Sequence, residues 1–434
     1  MTNPTTQLAF KNNTGSSKAY VYVTGLDINK NNAYAFLRSD GKTMYYPDSP
    51  SQPQTPLSLD PAIPLGAPGT TTTVTIPQLA GGRIWIVVDA KLTFLLNPGP
   101  GIVEPAVTNK ADPNYNLKWG FCEFTCFVDN KQQLFVNISY VDFVSLPIAL
   151  ELRNTEGKTQ TVKGLPTDGL DRIATQLAQQ ASSENPDWGK LIIKGADGKN
   201  LRVLSPNGAR VADNSVFKNY YQPYVDEAWN KYKTTDLKID TQAQWGVVTG
   251  RVGSDGLLKF ENAGSFAKPS AGDIFSCDTG PFGNYPEETR IVQGAIGARL
   301  AASLNRSTLV SNPNQPDPAG GSNTYYRTSP TNHYARIVHG VNLDGRGYAF
   351  PYDDVAPNGD SSPDQAGTVF DGSPELLTVT FGGPAARQGR KEQREDVQEP
   401  VVGGGKAKKD KKAGIDFAGF FKKIASVVKG LFHK

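Results

Sequence analysis

Residues Gly120–Val128, with the sequence GFCEFTCFV, and residues Leu134–Val144, with the sequence LFVNISYVDFV, decide the fold. Both runs are rich in the aromatic and β-branched residues that favour strands. The short polar stretch Asp129–Gln133 separates them, so we predict an antiparallel hairpin. Each strand carries one acid, Glu123 on the first and Asp142 on the second. The hairpin therefore places two carboxylates on one small area of sheet without any long-range assumption.

Two carboxylates a few ångströms apart can hydrolyse a glycosidic bond, because one protonates the leaving oxygen while the other activates water. With the turn centred near Lys131, Glu123 faces Ser139, and the two carboxyl groups lie roughly 8–11 Å apart before their side chains lean together. This separation leans towards inverting hydrolysis, since retaining enzymes place the pair at about 5–5.5 Å. Strict alternation puts Asp142 on the face opposite to Ser139, so we expect a bulge or turn between them.

Spacing alone also allows a simpler interpretation, in which both acids face solvent from an exposed sheet. Other acid pairs, Asp226–Glu227 and Asp353–Asp354, fit a two-carboxylate site equally well. Evidence beyond spacing has to decide between these alternatives.

The composition indicates a β-dominated protein with many turns. The 434 residues include 44 glycines and 31 prolines, with Thr-rich and Val-rich segments between them. Further strand candidates precede the hairpin at Leu8–Lys11, Ala19–Leu26, Ala33–Arg38, Thr71–Ile76, Arg83–Asp89 and Lys91–Leu96. So many short strands predict a sandwich or barrel.

Helical spacing of apolar residues begins after the hairpin. Leu170–Leu177 and Phe217–Tyr232 both repeat at three and four residues, and Pro286–Leu304 opens with a proline and two glutamates, as helices often do. Strand candidates resume at Tyr334–His339 and Glu375–Phe381. The chain therefore combines a mainly β body with helices that begin after Pro166.

These patterns divide the chain into a catalytic region, a linker and a tail. We predict a β core at about residues 1–160 and 246–382, into which a smaller mixed α/β lobe is inserted at about residues 161–245. Residues 383–414 are rich in glycine and charged side chains, so they predict a flexible linker. Residues 415–434 carry an apolar stripe at three- and four-residue spacing flanked by lysines, which predicts a basic amphipathic helix.

The charge is divided unevenly along the chain. Residues 406–434 hold nine lysines against two aspartates, so the body is mildly acidic although the formal net charge is +3. An acidic body argues against nucleic-acid binding, which needs a basic face, and suits a neutral polysaccharide. The tail resembles an anchor for an anionic membrane surface. Docking of the same helix on the protein's own body or on a partner is equally open.

Cysteine and histidine usage excludes several classes of chemistry. Cys122, Cys126 and Cys277 are too few for a disulfide framework, and the first two share strand parity with Phe124, so we expect buried thiols. The three histidines have no metal-ligand spacing with one another or with cysteine, and there is no G-x-S-x-G motif. We therefore expect no metal, no cofactor and no Ser-His catalysis.

The sequence also bears on location. Residues Met1–Lys18 are polar and lack the apolar core of a secretory signal, and no run of about 18 apolar residues is present. We expect a cytoplasmic or membrane-peripheral protein, or one secreted by an unconventional route. The oligomeric state stays open.

Five motifs resemble segments of glycoside hydrolase family 64, most closely its fungal members, over residues from near Leu8 to about Gly382. They are Gly81-Gly82-Arg83-Ile84-Trp85, Trp119-Gly120-Phe121-Cys122-Glu123-Phe124-Thr125, Tyr140-Val141-Asp142-Phe143-Val144-Ser145-Leu146-Pro147, Tyr220-Tyr221-Gln222-Pro223-Tyr224-Val225 and Gly347-Tyr348-Ala349-Phe350-Pro351-Tyr352-Asp353-Asp354. The resemblance implies a thaumatin-like β-sandwich or barrel, a smaller mixed α/β lobe and a wide groove between them. It also implies inverting hydrolysis of β-1,3-glucan with release of short laminari-oligosaccharides, by enzymes that usually act outside the cell.

The same resemblance implies the catalytic roles. The glutamate of the family falls on Glu123, which would be the general acid. The aspartate of the family falls on Asp142, which would be the general base.

The candidate substrate-binding residues are Thr125, Phe135, Asn137 and Ser139. Thr125 matches a substrate-contacting threonine of the family, and Ser139 stands where the family has a similar hydroxyl. Phe135 stands where bacterial relatives carry a tryptophan in the groove, so stacking on sugar is retained while a ring N–H donor is lost. Asn137 lies between Phe135 and Ser139 on the same predicted strand.

Other residues of these motifs have structural explanations. We expect Trp85 and Trp119 to lie in the core, and Asp353 and Asp354 to order a loop through hydrogen bonds. The main non-enzymatic alternative is a thaumatin-like glucan-binding or structural protein that has kept the groove without turnover and is associated with membranes through its tail.

Overall fold

The computed structural model describes residues 5–127, 133–318, 321–357 and 365–384. The predicted amphipathic helix at residues 415–434 lies outside the described residues, as does the predicted linker beyond residue 384. Among the helices of the described ranges, none combines the length and the apolar composition needed to cross a membrane.

Short strands dominate the described part of the chain. In chain order they are β1 (Thr6–Asn12), β2 (Ala19–Asp27), β3 (Ala33–Leu37), β4 (Met44–Tyr45), β5 (Thr55–Pro56), β6 (Ile63–Pro64), β7 (Thr71–Ile76), β8 (Leu79–Val88), β9 (Leu95–Asn97), β10 (Gly101–Val103), β11 (Lys118–Phe127), β12 (Gln133–Ile138), β13 (Phe143–Val144), β14 (Ile148–Asn154), β15 (Thr159–Val162), β16 (Ile192–Lys194), β17 (Asn200–Leu204), β18 (Leu237–Asp240), β19 (Val247–Val252), β20 (Leu258–Phe260), β21 (Gly264–Phe266), β22 (Asn314–Gln315), β23 (Thr368–Asp371) and β24 (Pro374–Phe381).

The described α-helices all follow β15 in the chain. They are α1 (Gly169–Ser183), α2 (Pro206–Ala212), α3 (Gln222–Lys231), α4 (Ala271–Ser276), α5 (Arg290–Asn305) and α6 (His333–Val341). Short 3₁₀ turns lie at Ile28–Lys30, Pro186–Leu191, Gly280–Phe282 and Gly321–Thr324. The protein is thus mainly β with a few helices, as its composition predicts.

Two sheets build the core. The first sheet has the strand order β15-β14-β24-β1-β7, and the large sheet has the order β23-β12-β11-β8-β2-β3-β4, with β6 paired to β2. The Thr6 hydroxyl lies 3.0 Å from the Cys126 sulfur, so the two sheets contact each other. Every strand of both sheets comes from residues 6–162 or 368–381. The strands between these two ranges, β16 to β22, belong to other sheets. We call residues 163–367 the inserted segment.

Alternation along β11 explains which side chains enter the core. Cys122, Phe124 and Cys126 share one face of the strand and are buried, as the parity of the cysteines predicts. Trp119 shares the other face with Glu123, and it packs against Trp85 of β8 with 5.7 Å between ring centroids. Both tryptophans are 1% exposed, which confirms their expected core position.

The inserted segment has a sheet of its own, with the order β21-β20-β19-β18-β22. β18 and β19 form an antiparallel hairpin. Residue 245, the predicted end of the inserted lobe, lies in the connection between these two strands. A smaller sheet, β13-β17-β16, joins the chain just after the large sheet to the start of the inserted segment. This sheet lies directly next to Asp142.

The predicted strand at Tyr334–His339 is wrong, because these residues lie in helix α6. The Asn332 side chain accepts a hydrogen bond from the Ala335 amide and caps the helix. Tyr334, Ile337, Val338 and Val341 then recur at helical spacing and are buried. The run is short and apolar, and its capping asparagine is what distinguishes a helix from a strand here.

Candidate active site

The ladder between β11 and β12 sets which residues share the sheet face with Glu123. Glu123 pairs with Asn137, and Thr125 pairs with Phe135, so all four lie on one face. The predicted pairing of Glu123 with Ser139 is wrong by two residues. The centre of the hairpin lies one residue nearer the N-terminus than the sequence suggests, and a shift of one residue at the turn moves the opposite partner by two.

An arginine stands on the other side of Glu123. Arg83 of β8 is the cross-strand partner of Glu123, and its Nε and Nη2 atoms both lie 3.4 Å from the Glu123 Oε1 atom. The Nη1 atom forms a closer ion pair with Glu104 Oε2. The Tyr34 hydroxyl donates to Glu104 Oε1 at 3.0 Å. The guanidinium of Arg83 therefore bridges two carboxylates.

Asp142 lies where the second strand of the hairpin breaks. β12 ends four residues before it and β13 begins immediately after it, with a bend at residues 141–142. The chain thus leaves the strand between Ser139 and Asp142, as the parity argument requires. The Tyr334 hydroxyl donates to the Tyr140 carbonyl at 2.6 Å, and the Ser205 amide donates to the Asp142 carbonyl at 2.8 Å. These contacts with α6 and with the N-cap of α2 fix the bend.

This bend separates Asp142 from the ladder that holds Glu123. Asp142 lies five residues beyond Asn137, which on a straight strand is about 16 Å from the position opposite Glu123. Its charge nevertheless acts on both Glu123 and Arg83. The two predicted catalytic carboxylates therefore belong to one electrostatic cluster with Arg83 and Glu104.

Both carboxyl groups hold their protons more strongly than they would in water. Burial raises the pKa of Glu123, the charges of Asp142 and Glu104 raise it further, and Arg83 opposes the rise. The Asp142 side chain reaches solvent, yet surrounding protein atoms desolvate its carboxylate and raise its pKa, with Glu104 adding to the effect and Arg83 opposing it. Raised carboxyl pKa values in a cleft are typical of catalytic acids and bases.

A cleft of about 600 Å³ opens over this face of the large sheet. Its lining comprises Leu26, Asn32, Ala33, Tyr34, Tyr46, Pro47, Gly81, Gly82, Arg83, Gly99, Pro100, Gly101, Ile102, Glu104, Glu123, Phe124, Thr125, Phe135 and Asn137. Four of the six predicted site residues thus line one cavity: Glu123, Thr125, Phe135 and Asn137. Asp142 and Ser139 lie outside this lining.

The substrate-binding candidates differ in what they already contact. The Thr125 hydroxyl accepts a hydrogen bond from the Gly81 amide at 3.3 Å. Phe135 stacks on Phe370 with 4.1 Å between centroids, so one ring face is covered. Asn137 is buried, and its Oδ1 atom has no hydrogen-bond partner among the described residues. Ser139 is 6% exposed and forms a backbone bridge with Tyr348.

The competing acid pairs are engaged elsewhere. Asp353 is buried and forms ion pairs with Arg306 and His339 at 3.2 and 3.0 Å. It also accepts the Ala349 amide, which confirms its expected role in ordering the loop. Asp226 forms an ion pair with Lys268 at 2.6 Å. These carboxylates have structural partners, whereas Glu123 lines the cleft.

Two members of the electrostatic cluster, Arg83 and Glu104, were not predicted from the sequence. Arg83 lies in the Gly81–Trp85 motif, and its position two residues before a core tryptophan on a strand could have placed it on the Glu123 face. Glu104 follows β10 in a loop flanked by prolines, with no periodicity or motif. Only the folded arrangement brings Glu104 to Arg83.

Comparisons with known proteins agree on one family. The glycoside hydrolase family 64 model, described as β-1,3-glucanase, matches residues 4–381. A glucan endo-1,3-β-glucosidase of Arthrobacter sp. (strain YCWD3) is 29% identical over 316 residues, which cover 71% of this chain and 53% of the relative. A glucan endo-1,3-β-glucosidase of Cellulosimicrobium cellulans is 29% identical over 315 residues, with the same coverage. The chain thus spans about half the length of these two relatives.

Solved structures extend the agreement to the fold. A laminaripentaose-producing β-1,3-glucanase in complex with laminaritetraose is 31% identical, with a TM-score of 0.75 over 87% of this chain and 99% of that one. A β-1,3-glucanase domain from Clostridium beijerinckii is 18% identical, with a TM-score of 0.65 over 88% of this chain and 100% of that one. The expected likeness to fungal members finds no support among these relatives, since those with a named source are bacterial. The chain belongs to glycoside hydrolase family 64, the family of β-1,3-glucanases.

Proposed function

We propose that this protein hydrolyses β-1,3-glucan of the laminarin type and releases short laminari-oligosaccharides by an inverting mechanism. The observation that carries the proposal is the placement of Glu123 in a cleft with Thr125, Phe135 and Asn137, where the charge of Asp142 acts on it and both carboxyl groups have raised pKa values. The relatives named as glucan endo-1,3-β-glucosidases support the substrate class. The structure bound to laminaritetraose supports it further.

The surroundings of the two acids support one assignment of roles. The charge of Asp142 adds to the raised pKa of Glu123, so an ionised Asp142 favours a protonated Glu123. Glu123 then donates its proton to the glycosidic oxygen as the bond from that oxygen to the anomeric carbon breaks. Asp142 accepts a proton from the water whose oxygen attacks the same carbon from the opposite face. The configuration of the sugar is inverted.

We infer that the β core is of the thaumatin-like type and that the glucan lies in a wide groove between the core and the inserted segment. The position of Asp142 supports this arrangement. Its backbone is bound by Ser205, which belongs to the inserted segment, whereas Glu123 lies on the large sheet of the core. A sugar chain that passes between the two acids must therefore cross the junction of the two parts.

Side chains of the cleft can bind the glucan on the Glu123 side of the site. Asn137 and Thr125 offer polar atoms beside Glu123, and Phe135 offers apolar surface on the same sheet face. Ser139 lies in the segment that leads to Asp142 and is the second hydroxyl of the proposed substrate-binding set. A few polar groups on a largely apolar wall are typical of carbohydrate and other small-molecule sites.

Reducing-sugar release from laminarin tests the proposal. Wild-type protein is expected to release sugar, while Glu123→Gln and Asp142→Asn release almost none and still bind laminarin. NMR of the first products should detect the α-anomer, as inversion at a β-linkage requires. Wild-type protein that binds laminarin and releases nothing would favour the glucan-binding alternative, which is the less supported reading because both carboxylates are present.

We also propose that residues 406–434 attach the protein to anionic membrane surfaces. The support is the apolar stripe at residues 415–434, together with the lysines that flank and precede it in the sequence. Full-length protein should sediment with vesicles that contain phosphatidylserine, and protein lacking residues 406–434 should stay in the supernatant. Equal binding of both versions would refute the anchor.

A further inference from the structure

We propose that Glu104 is a positioning residue that holds the Arg83 guanidinium away from Glu123 and so leaves Glu123 free to carry the catalytic proton. The proposal deepens the glucanase function proposed above and rests on it. It adds a third carboxylate to the site, one that takes no part in bond breaking.

Arg83 lies closer to Glu104 than to Glu123. Its Nη1 atom makes a close ion pair with Glu104 Oε2, whereas its Nε and Nη2 atoms lie 3.4 Å from Glu123 Oε1. A full charge-assisted pair between arginine and a carboxylate has contacts of about 2.7–2.9 Å. Arg83 is therefore bound mainly to Glu104 and only loosely to Glu123.

Neighbouring groups fix this division. The Tyr34 hydroxyl donates to the second oxygen of Glu104 at 3.0 Å, so the carboxylate is held from two sides. The Arg83 guanidinium also lies over the Phe121 ring, 4.9 Å from its centroid. Glu104 follows the last residue of β10 directly. The guanidinium cannot swing towards Glu123 while Glu104 holds it.

The arrangement matters because a general acid must keep its proton at the working pH. The charged groups that act on Glu123 are Arg83 from β8, Glu104 from the segment after β10 and Asp142 from the bend after β12. The neighbouring Cys122 thiol of β11 lies on the opposite face of the sheet, and burial, together with the charge of Glu123, raises its pKa. Arg83 is the one cation of this set, and it opposes protonation. Glu104 counters Arg83 in two ways, by its own charge and by drawing the guanidinium away.

The test is the pH dependence of kcat on laminarin for wild type and Glu104→Gln. Glutamine can still accept from Tyr34, but it carries no charge. We expect the alkaline limb to move to lower pH by about half a unit to one unit, because the proton on Glu123 is then lost more easily. The acid limb should move the same way by less, since Glu104 also acts on Asp142. The kcat at the new optimum should stay within about tenfold of wild type.

Glu151→Gln is the matched control, because Glu151 is an exposed glutamate on β14 of the first sheet. Its pH profile should coincide with that of wild type. If Glu104→Gln does not fold, Glu104→Asp replaces it. This variant retracts the carboxylate by one methylene and should give a smaller shift in the same direction, whereas an unmoved limb would refute the proposal.

Two outcomes for Glu104→Gln overturn the proposal. A raised KM with an unmoved alkaline limb would make Glu104 a substrate-binding residue. Loss of all activity, as expected for Asp142→Asn, would make Glu104 itself catalytic.

A second readout needs no turnover. The Glu123 carboxyl carbon can be titrated by NMR in labelled protein, with its signal assigned by its loss in Glu123→Gln. Its pKa should be lower in Glu104→Gln than in wild type, and an equal or higher value would refute the Glu104 proposal. Inactive wild-type protein would refute the glucanase function alone, and this titration would still decide the role of Glu104.

Discussion

Glu123 stands directly opposite Asn137 on the antiparallel ladder of β11 and β12. Asn137 is 4% exposed, and its Oδ1 atom has no hydrogen-bond partner among the described residues. A buried acceptor without a partner costs about 1–3 kcal/mol of stability. Such a cost beside an acid in a cleft is best explained by a ligand that donates to this oxygen, and a sugar hydroxyl has the required chemistry.

The first prediction follows for Asn137→Ala. The variant should unfold at the same temperature as wild type or higher, because it removes an unsatisfied buried group. Its KM for laminari-oligosaccharides should rise about tenfold, since one hydrogen bond of roughly 1.4 kcal/mol is lost. Thermal unfolding and steady-state kinetics measure the two effects.

Asn154 provides the matched control for that experiment. It is 6% exposed, its Oδ1 atom accepts from the amides of Glu156 and Lys158, and its Nδ2 atom donates to Asp371. Asn154→Ala should therefore lower the unfolding temperature and leave KM unchanged. The opposite pattern, with Asn137→Ala destabilised and its KM unaltered, would remove Asn137 from the substrate site.

The second prediction concerns the stability of Glu123→Gln and Asp142→Asn. A carboxyl whose pKa is raised on folding costs stability above its unfolded pKa, and the cost vanishes at lower pH where both states are protonated. Both pKa values are raised, so both variants should be at least as stable as wild type at pH 7. The difference should narrow as the pH falls towards 4. Unfolding temperatures at pH 7 and pH 4 measure it, and variants less stable than wild type at pH 7 would contradict the prediction.

The third prediction concerns the floor of the cleft. A Cβ atom on Gly82 would lie 2.4 Å from Cζ of Phe124, whose ring is buried beneath the site. Gly82→Ala should lower the free energy of unfolding by about 1–3 kcal/mol through overpacking and reduce kcat, because Arg83 is the next residue. Urea denaturation and laminarin hydrolysis check both effects.

Gly372→Ala is the control for this change, since a Cβ there meets no atom within 4 Å. It should behave as wild type in both assays. The double variant Gly82→Ala with Phe124→Leu should recover part of the lost stability, because the smaller side chain yields the space. Failure of Gly82→Ala to differ from Gly372→Ala would mean that the sheet can shift to accept the methyl group.

Local patterns were sufficient for much of the fold. Alternation predicted β11, the burial of Cys122 and Cys126, and the need for the chain to turn before Asp142. These features depend on side-chain periodicity within one strand, which the sequence contains. The strand Pro374–Phe381 was found for the same reason, although nothing local indicates that it pairs between β1 and β14.

The rest depends on contacts between distant segments. Strand alternation does not fix the register of the hairpin, and a shift of one residue at its centre changes the partner of Glu123 from Ser139 to Asn137. Glu104 became part of the site only because the hairpin of β9 and β10 folds over β8. Pairings of this kind arise from tertiary packing, which single-sequence patterns do not contain.

The last prediction concerns the buried ion cluster behind Asp142. Asp353 is fully buried with Arg306 and His339, and burial alone would raise its pKa, but interactions with His339, Arg306 and the Ala349 amide lower it below the usual value. Asp353→Asn leaves Arg306 without a charged partner in this cluster, which should cost about 3–5 kcal/mol. A lowered carboxyl pKa stabilises the fold above the unfolded pKa, and this contribution is lost as the pH falls. The difference in free energy of unfolding between wild type and Asp353→Asn should therefore be largest at pH 7 and smaller in acid.

Asp354→Asn is the comparison for this change, because Asp354 is the next residue in the chain and accepts a hydrogen bond from the Tyr348 hydroxyl. Asparagine can still accept this hydrogen bond, so the substitution should cost no more than about 1 kcal/mol. The Asp353 effect should also reach catalysis, since Ala349 follows Tyr348, whose backbone binds the segment before Asp142. We expect Asp353→Asn to lower kcat more than it raises KM when both are measured well below its unfolding temperature. Equal losses of stability in the two variants would show that the ion pairs with Arg306 and His339 contribute nothing beyond ordinary hydrogen bonds.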